Sequence, residues 1–174
     1  MLQEYTTYRI LTLFFDQPTR YFQLREISRI LKLGMPSVIN HIKKLEKEGL
    51  IKKEKRGVYE SYVSERNDLY RTYKRNDILL RMHESGLVDF LADEFMPDAI
   101  VLFGSCARGE DIETSDVDLM LVSQEKEVNL KKFESVLKRK ISLHFEENIS
   151  EIPKELLNNT VNGVVIYGYL TVFQ

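Results

Sequence analysis

Asp116 and Asp118 stand two apart, 11 and 13 positions beyond the serine of a Gly104-Ser105 pair, in the stretch VLFGSCARGEDIETSDVDLMLV that covers residues 101–122. On a strand, residues i and i+2 face the same side, so both carboxylates would enter one cleft. Two carboxylates held side by side repel unless a cation lies between them. Hard oxygen ligands next to a phosphate site favour magnesium, which takes one or two carboxylates plus substrate phosphates. The phosphate site itself is read from the residues before them. An apolar run at 99–103 leads directly into Gly104, which lets the backbone turn sharply and approach a ligand. N–H groups at the start of a following helix would suit an anion. Ser105 adds a hydroxyl donor and Arg108 a planar fork of donors suited to phosphate. Gly109 and Ser115, in the same connection, complete the expected nucleotide-binding set. The chemistry implied is magnesium-nucleotide binding poised for phosphoryl or nucleotidyl transfer.

Phe103-Gly104-Ser105, Ala107-Arg108-Gly109 and Ser115-Asp116-Val117-Asp118-Leu119 together resemble the signature of the polymerase-β-type nucleotidyltransferase superfamily. The likeness is to its minimal branch, which is also similar to the kanamycin nucleotidyltransferase core, and it extends from Leu91 to the C-terminus. The resemblance implies Mg2+ on Asp116 and Asp118, an NTP (ATP being the expected one) and an acceptor hydroxyl attacking the α-phosphate with release of pyrophosphate. Active members draw a third carboxylate from the strand after the next helix. Here that strand, 141–145, offers Ser142 and His144 on one face, with Ile141, Leu143 and Phe145 on the other. Three alternatives stand open. His144 would serve as general base, its unperturbed type titrating near neutrality. Glu146, or Glu147 beside it, would supply the charge from just past the strand. Or the module binds nucleotide without efficient catalysis.

The rest of the chain must position these groups. Its 174 residues, 43% hydrophobic and 30% charged, suit one ordinary domain or two small ones and exclude a disordered chain. No apolar run reaches the roughly 18 residues needed to span a bilayer. The N-terminus lacks the basic-then-apolar pattern of a signal peptide. One cysteine, Cys106, excludes an internal disulfide framework and suits a reducing cytoplasm. The net charge of −2 hides an asymmetry: residues 1–65 carry 12 basic and 8 acidic side chains, the remainder 13 and 19. A basic first part facing nucleic acid and an acidic second part are expected.

In chain order, helical periodicity is expected at 5–15, ended by Asp16-Gln17-Pro18. A second helix at 22–33 places Leu24, Ile27, Ile30 and Leu31 on one stripe, with Gly34 as terminator. Pro36 opens a third helix at 37–48, burying Val38, Ile39, Ile42 and Leu45. Gly49 closes it, and two strands follow around Gly57. This order resembles a winged-helix DNA-binding domain. That resemblance implies double-stranded DNA as a partner, with Ser37, Asn40, His41 and Lys44 at the bases and Lys53, Lys55 and Arg56 at phosphates.

Residues 66–95 form one long helix or two meeting near Gly86, capped by Asn67 or Asp68. Tyr70, Tyr73 and Met82 on it serve either a dimer interface or burial within the chain. A homodimer is expected from the paired half-sites that helix-turn-helix proteins read. An amphipathic helix at 129–140, a strand at 141–145, a helix at 153–159 and a strand at 163–170 follow.

The expected class is α+β: a winged helix at 1–65, a connecting helix at 66–90, and a small mixed sheet with helices at 91–174. The expected function is nucleotidyl transfer to an unknown hydroxyl acceptor, with a protein or RNA as candidate acceptor. Its rival is a DNA-binding regulator or antitoxin-like protein whose degenerate second module binds nucleotide only.

Overall fold

The computed structural model describes residues 5–147 and 153–171. The chain divides into two compact units, Met1–Lys74 and Arg75–Gln174.

The first unit holds α1 (Thr6–Asp16), α2 (Leu24–Leu31), α3 (Met35–Lys47) and the hairpin of β1 (Ile51–Arg56) and β2 (Tyr59–Ser64). Ile10, Leu11, Phe14 and Phe15 recur at helical spacing on α1 and are all buried. They meet Ile27 of α2 and Val38, Ile42 and Leu45 of α3 in one core. Each such side chain contributes about 1.5–3 kcal/mol relative to exposure. Gly57-Val58 connects the strands with positive φ on its first residue, the pattern of a II′ turn.

Two local expectations fail here. Phe22 does not start α2; its N–H and C=O exchange hydrogen bonds of 2.8 Å with Tyr62, so it extends the hairpin. A capping box of Gln23 and Glu26 then starts the helix. Gly34 does not end it either. Lys32 takes the left-handed conformation at its C-cap, and Gly34 is the extended N-cap of α3. Ile30 is consequently exposed rather than part of the buried stripe, and Ile39 is only half-buried.

Two helices span the region after the hairpin: α4 (Asp68–Glu84) and α5 (Leu87–Phe95). Gly86, at φ 75°, separates them. Asn67 caps α4, its Oδ1 accepting the Tyr70 N–H at 2.9 Å. The Tyr70 hydroxyl is buried in the first core, donating to the Phe14 carbonyl at 2.6 Å. Met82 is fully buried in the second core. Neither is open to a partner, which leaves Tyr73, half exposed, from that expected interface set.

The second unit is built on a mixed four-stranded sheet, order β5-β4-β3-β6. Its strands are β3 (Ala99–Phe103), β4 (Val117–Leu121), β5 (Ile141–Phe145) and β6 (Val164–Gly168). β3 is antiparallel to β4 and β6, whereas β5 runs parallel to β4. Short helices connect them: α6 (Gly104–Arg108), α7 (Lys131–Leu137) and α8 (Lys154–Val161). Ile100, Leu102, Val117, Leu119 and Leu121 pack with α5, α7 and the apolar side of α4. Ala99, Val101, Phe103, Met120 and Val122 face the other way, toward Leu156 and Leu157 of α8. Both faces of β3 and β4 are thus covered, which is why those strands read as nearly continuous apolar runs. Among the described residues no helix is long and apolar enough to cross a membrane.

Candidate active site

The alternation that buries Val117 and Leu119 turns Asp118 to the opposite face, where it shares the sheet surface with Ser142 and His144 of β5. Register fixes this: Asp118 pairs with Ser142 and Met120 with His144, in parallel. Across β3, Asp118 lies opposite Phe103, the last residue before Gly104.

Gly104 is required twice over. Its φ of +71° lies where L side chains are strained, and a Cβ built there would sit 2.5 Å from Asp118 Oδ2. The Asp118 carboxylate is therefore seated against bare backbone at the mouth of the β3–α6 turn. Its burial pushes its pKa up; His144 opposes this and the Asp116 charge adds to it. A half-buried carboxylate held in its costly form beside a second carboxylate fits a site for a hard cation. Among the described residues no group of three or more His, Cys, Asp and Glu is placed to hold a metal. Asp116 and Asp118 would then supply two oxygen ligands, leaving the remaining positions to substrate phosphates and water.

Asp116 is exposed and precedes β4 by one residue; its carbonyl receives the Cys106 thiol at 3.3 Å. That contact ties the buried Cys106 of α6 to the carboxylate pair, a packing role for the lone cysteine. Ser105, half-buried at the start of α6, has no hydrogen-bond partner for its hydroxyl among the described residues. α6 is only five residues long, so an anion here would meet the Gly104 backbone and this hydroxyl more than a helix dipole. Arg108 is exposed, its Nε donating to Glu110 at 2.8 Å. Gly109 is the left-handed C-cap of α6. The Ser115 hydroxyl oxygen accepts the Ile112 N–H at 2.9 Å and so braces the turn before Asp116.

His144 is the polar side chain that β5 delivers to Asp118. Its Nε2 lies 3.9 Å from Asp118 Oδ1 and 3.3 Å from Ser142 Oγ, and its ring meets Phe103 edge-on at 5.2 Å. The Glu146 N–H donates to the Leu121 carbonyl and Glu147 is exposed.

One brace was missed in the sequence. Asp111 and Arg139 form a buried ion pair at 3.3 Å that ties the loop before β4 to the turn before β5. Nothing in their spacing, 28 residues apart, announces it.

In the first unit, Ser37, Asn40, His41 and Lys44 lie outside the buried stripe of Val38, Ile42 and Leu45 on α3. Asn40 and Lys44 are exposed, whereas His41 Nδ1 lies 2.8 Å from Thr7 Oγ1 and is held against α1. Lys44 stands 4.0 Å from Glu48, a loose pair. On the hairpin, Lys53 pairs with Glu60 at 2.6 Å and Lys55 is exposed. The Arg56 side chain lies outside the described part of the structure.

Comparison with known families matches each unit separately. Residues 84–167 match the model of a nucleotidyltransferase domain, and residues 8–53 match that of a bacterial regulatory protein of the arsR family. Neither a curated protein nor a solved structure gave a match.

Proposed function

We propose, for a chain that joins an arsR-type helix-turn-helix to a nucleotidyltransferase domain, that it transfers a nucleoside monophosphate from an NTP, ATP first, to an acceptor hydroxyl. The observation that carries this reading is the Asp118 carboxylate seated against Gly104, with Asp116 beside it. Magnesium held by the two carboxylates would neutralise charge on the phosphates. The Gly104 backbone and the Ser105 hydroxyl hold the β- and γ-phosphates. Arg108 exchanges its exposed Glu110 partner for phosphate, since a surface pair of this kind contributes little. Ser115 and Gly109 keep the loop shaped so that Asp116 stays at the strand mouth. The acceptor oxygen forms the new bond to the α-phosphorus, the α–β bridging bond breaks, and pyrophosphate leaves. His144, on the Asp118 face where a third carboxylate would be expected, takes the acceptor proton at Nε2.

The first unit supports binding of double-stranded DNA, through Ser37, Asn40, His41 and Lys44 at base edges and Lys53, Lys55 and Arg56 at phosphates. We read the protein as a cytoplasmic homodimer on paired half-sites, with Tyr73 the remaining candidate of the expected interface set. A second reading rests on the missing third carboxylate: the second unit senses Mg-NTP and the first regulates DNA without transfer.

Transfer from α-labelled ATP with magnesium, with and without cell lysate as acceptor, separates the two. Label should move with wild type and be lost in Asp116→Asn. His144→Ala should slow transfer about 10²- to 10⁴-fold, the range of general-base loss. Magnesium-dependent ATP binding with no transfer by wild type would establish the sensor instead, and undiminished turnover by Asp116→Asn would refute the metal assignment.

A further inference from the structure

The loop from Asp111 to Val117, which carries Asp116, is held at both ends by two consecutive residues of the turn before β5. At its start, the Arg139 guanidinium meets the Asp111 carboxylate at 3.3 Å, Nη2 donating to Oδ2, with both side chains buried. At its end, the Lys140 carbonyl accepts the Val117 N–H at 2.8 Å. Arg139 is itself fixed, because its Nη1 donates to the Lys138 carbonyl at 2.9 Å in the left-handed turn that ends α7. Between the two anchors the chain closes on itself: the Ser115 N–H donates to the Ile112 carbonyl at 3.0 Å, and the Ile112 N–H to the Ser115 hydroxyl. The residue before Asp111 is tied as well, the Glu110 N–H donating to the Ser105 carbonyl at 2.9 Å. Asp116 is exposed, so its carboxylate stands where this backbone puts it.

We propose that Arg139 is a positioning residue for Asp116, holding that carboxylate beside Asp118 at the spacing a divalent cation needs. The proposal rests on the reading of Asp116 and Asp118 as metal ligands. Without the Asp111 anchor, the loop would be free to pivot about Val117 and swing Asp116 away from the strand mouth. Partners behind ligating carboxylates set ligand orientation in this way. The pair is a poor device for stability alone. Taking both charges out of water offsets most of their attraction, and an apolar pair of like volume often does as well. What an apolar pair cannot supply is direction: the guanidinium fork serves two acceptors, Asp111 Oδ2 and the Lys138 carbonyl, from one rigid plane. Arg139 also stands two residues before β5, whose first residue, Ile141, pairs with Val117. One side chain thus sets both Asp116 and the start of the strand that carries His144.

The test titrates the full chain with Mn2+ alone, the free ion being counted by its paramagnetic resonance, beside urea unfolding of the same preparations. Manganese takes the same oxygen ligands as magnesium. Asp111→Leu/Arg139→Met, an apolar pair, should unfold at a urea midpoint no lower than wild type yet bind Mn2+ about 10- to 100-fold more weakly. Arg139→Lys, whose single ammonium cannot span both acceptors as the fork does, should fall between that variant and wild type with an unchanged midpoint. Wild-type Mn2+ affinity in the double variant overturns the proposal. So does a loss matched by a fall in urea midpoint, which would make the pair a brace of the fold and nothing more. If the double variant does not fold, Arg139→Lys decides: an affinity equal to wild type overturns the proposal. Asp116→Asn separates this role from the reading beneath it. Mn2+ bound as tightly by Asp116→Asn as by wild type sinks the metal reading and the proposal with it; binding that needs Asp116 and ignores Arg139 sinks the positioning role alone.

Discussion

Gly104 and Asp118 can be exchanged only at a cost that the other one reveals. Gly104→Ala adds a methyl 2.5 Å from Asp118 Oδ2 at a positive φ. Strain of order 1–3 kcal/mol is expected, together with loss of nucleotide binding. A thermal melt and an ATP titration check both; an unshifted melting temperature would show that the carboxylate yields freely. Asp118 itself carries the opposite sign. Its folded pKa is raised, chiefly by burial, so the folded chain binds that proton more tightly than the unfolded chain does. Stability from this group grows as pH falls through the raised pKa and is reduced when the carboxylate is charged. Asp118→Asn should therefore raise the melting temperature at neutral pH without magnesium, with the advantage shrinking on acidification. Magnesium should stabilise wild type and leave the variant unmoved. An advantage that widened on acidification would contradict the burial account.

At the level of elements, the start of α4 is held by one side chain with two tasks. Asn67 Oδ1 accepts the Tyr70 N–H, and its Nδ2 donates to the Gly49 carbonyl at 2.8 Å, the residue that ends α3. Asn67→Ala removes the cap and the tie, and a loss of about 1–2 kcal/mol is expected from the cap alone. Asn67→Asp should keep the acceptor and recover most of it in urea unfolding. Equal losses for Ala and Asp would move the weight to the Gly49 contact. The same logic of short elements governs the second unit. Face-mates along β4 and β5 have one residue between them, so a one-residue slip of β5 would bring an apolar neighbour of His144 to Asp118.

For the whole molecule, a basic first part and an acidic second part correspond to two units with separate cores. Their proposed activities should separate by mutation. Asn40→Ala with Lys44→Ala is expected to weaken double-stranded DNA binding by about tenfold or more and to relax its base preference, since both residues are assigned to base edges. Label transfer should be unaffected, and Asp116→Asn should show the converse. Electrophoretic mobility shift and transfer assays on the same preparations test this. If either variant impaired both activities, the division of labour would fail.

What the sequence determined by itself was what local chemistry dictates. Gly-Ser after a buried run, Asp-Val-Asp opening the next, Gly57 in the hairpin and Asn67 at a helix start each follow from one residue's backbone or side-chain preference. Apolar periodicity likewise marked α1, α3 and α7, because burial of one face needs a fixed spacing. The α+β architecture and both family resemblances follow from those signals and agree with the matched families. Tertiary structure alone decided which residues meet across long separations. Phe22 leaves α2 because Tyr62, 40 positions away in chain order, offers it a strand partner. His144 reaches Asp118 through a parallel register that no local preference specifies. The Asp111–Arg139 pair arises because the turn before β4 and the turn before β5 lie side by side.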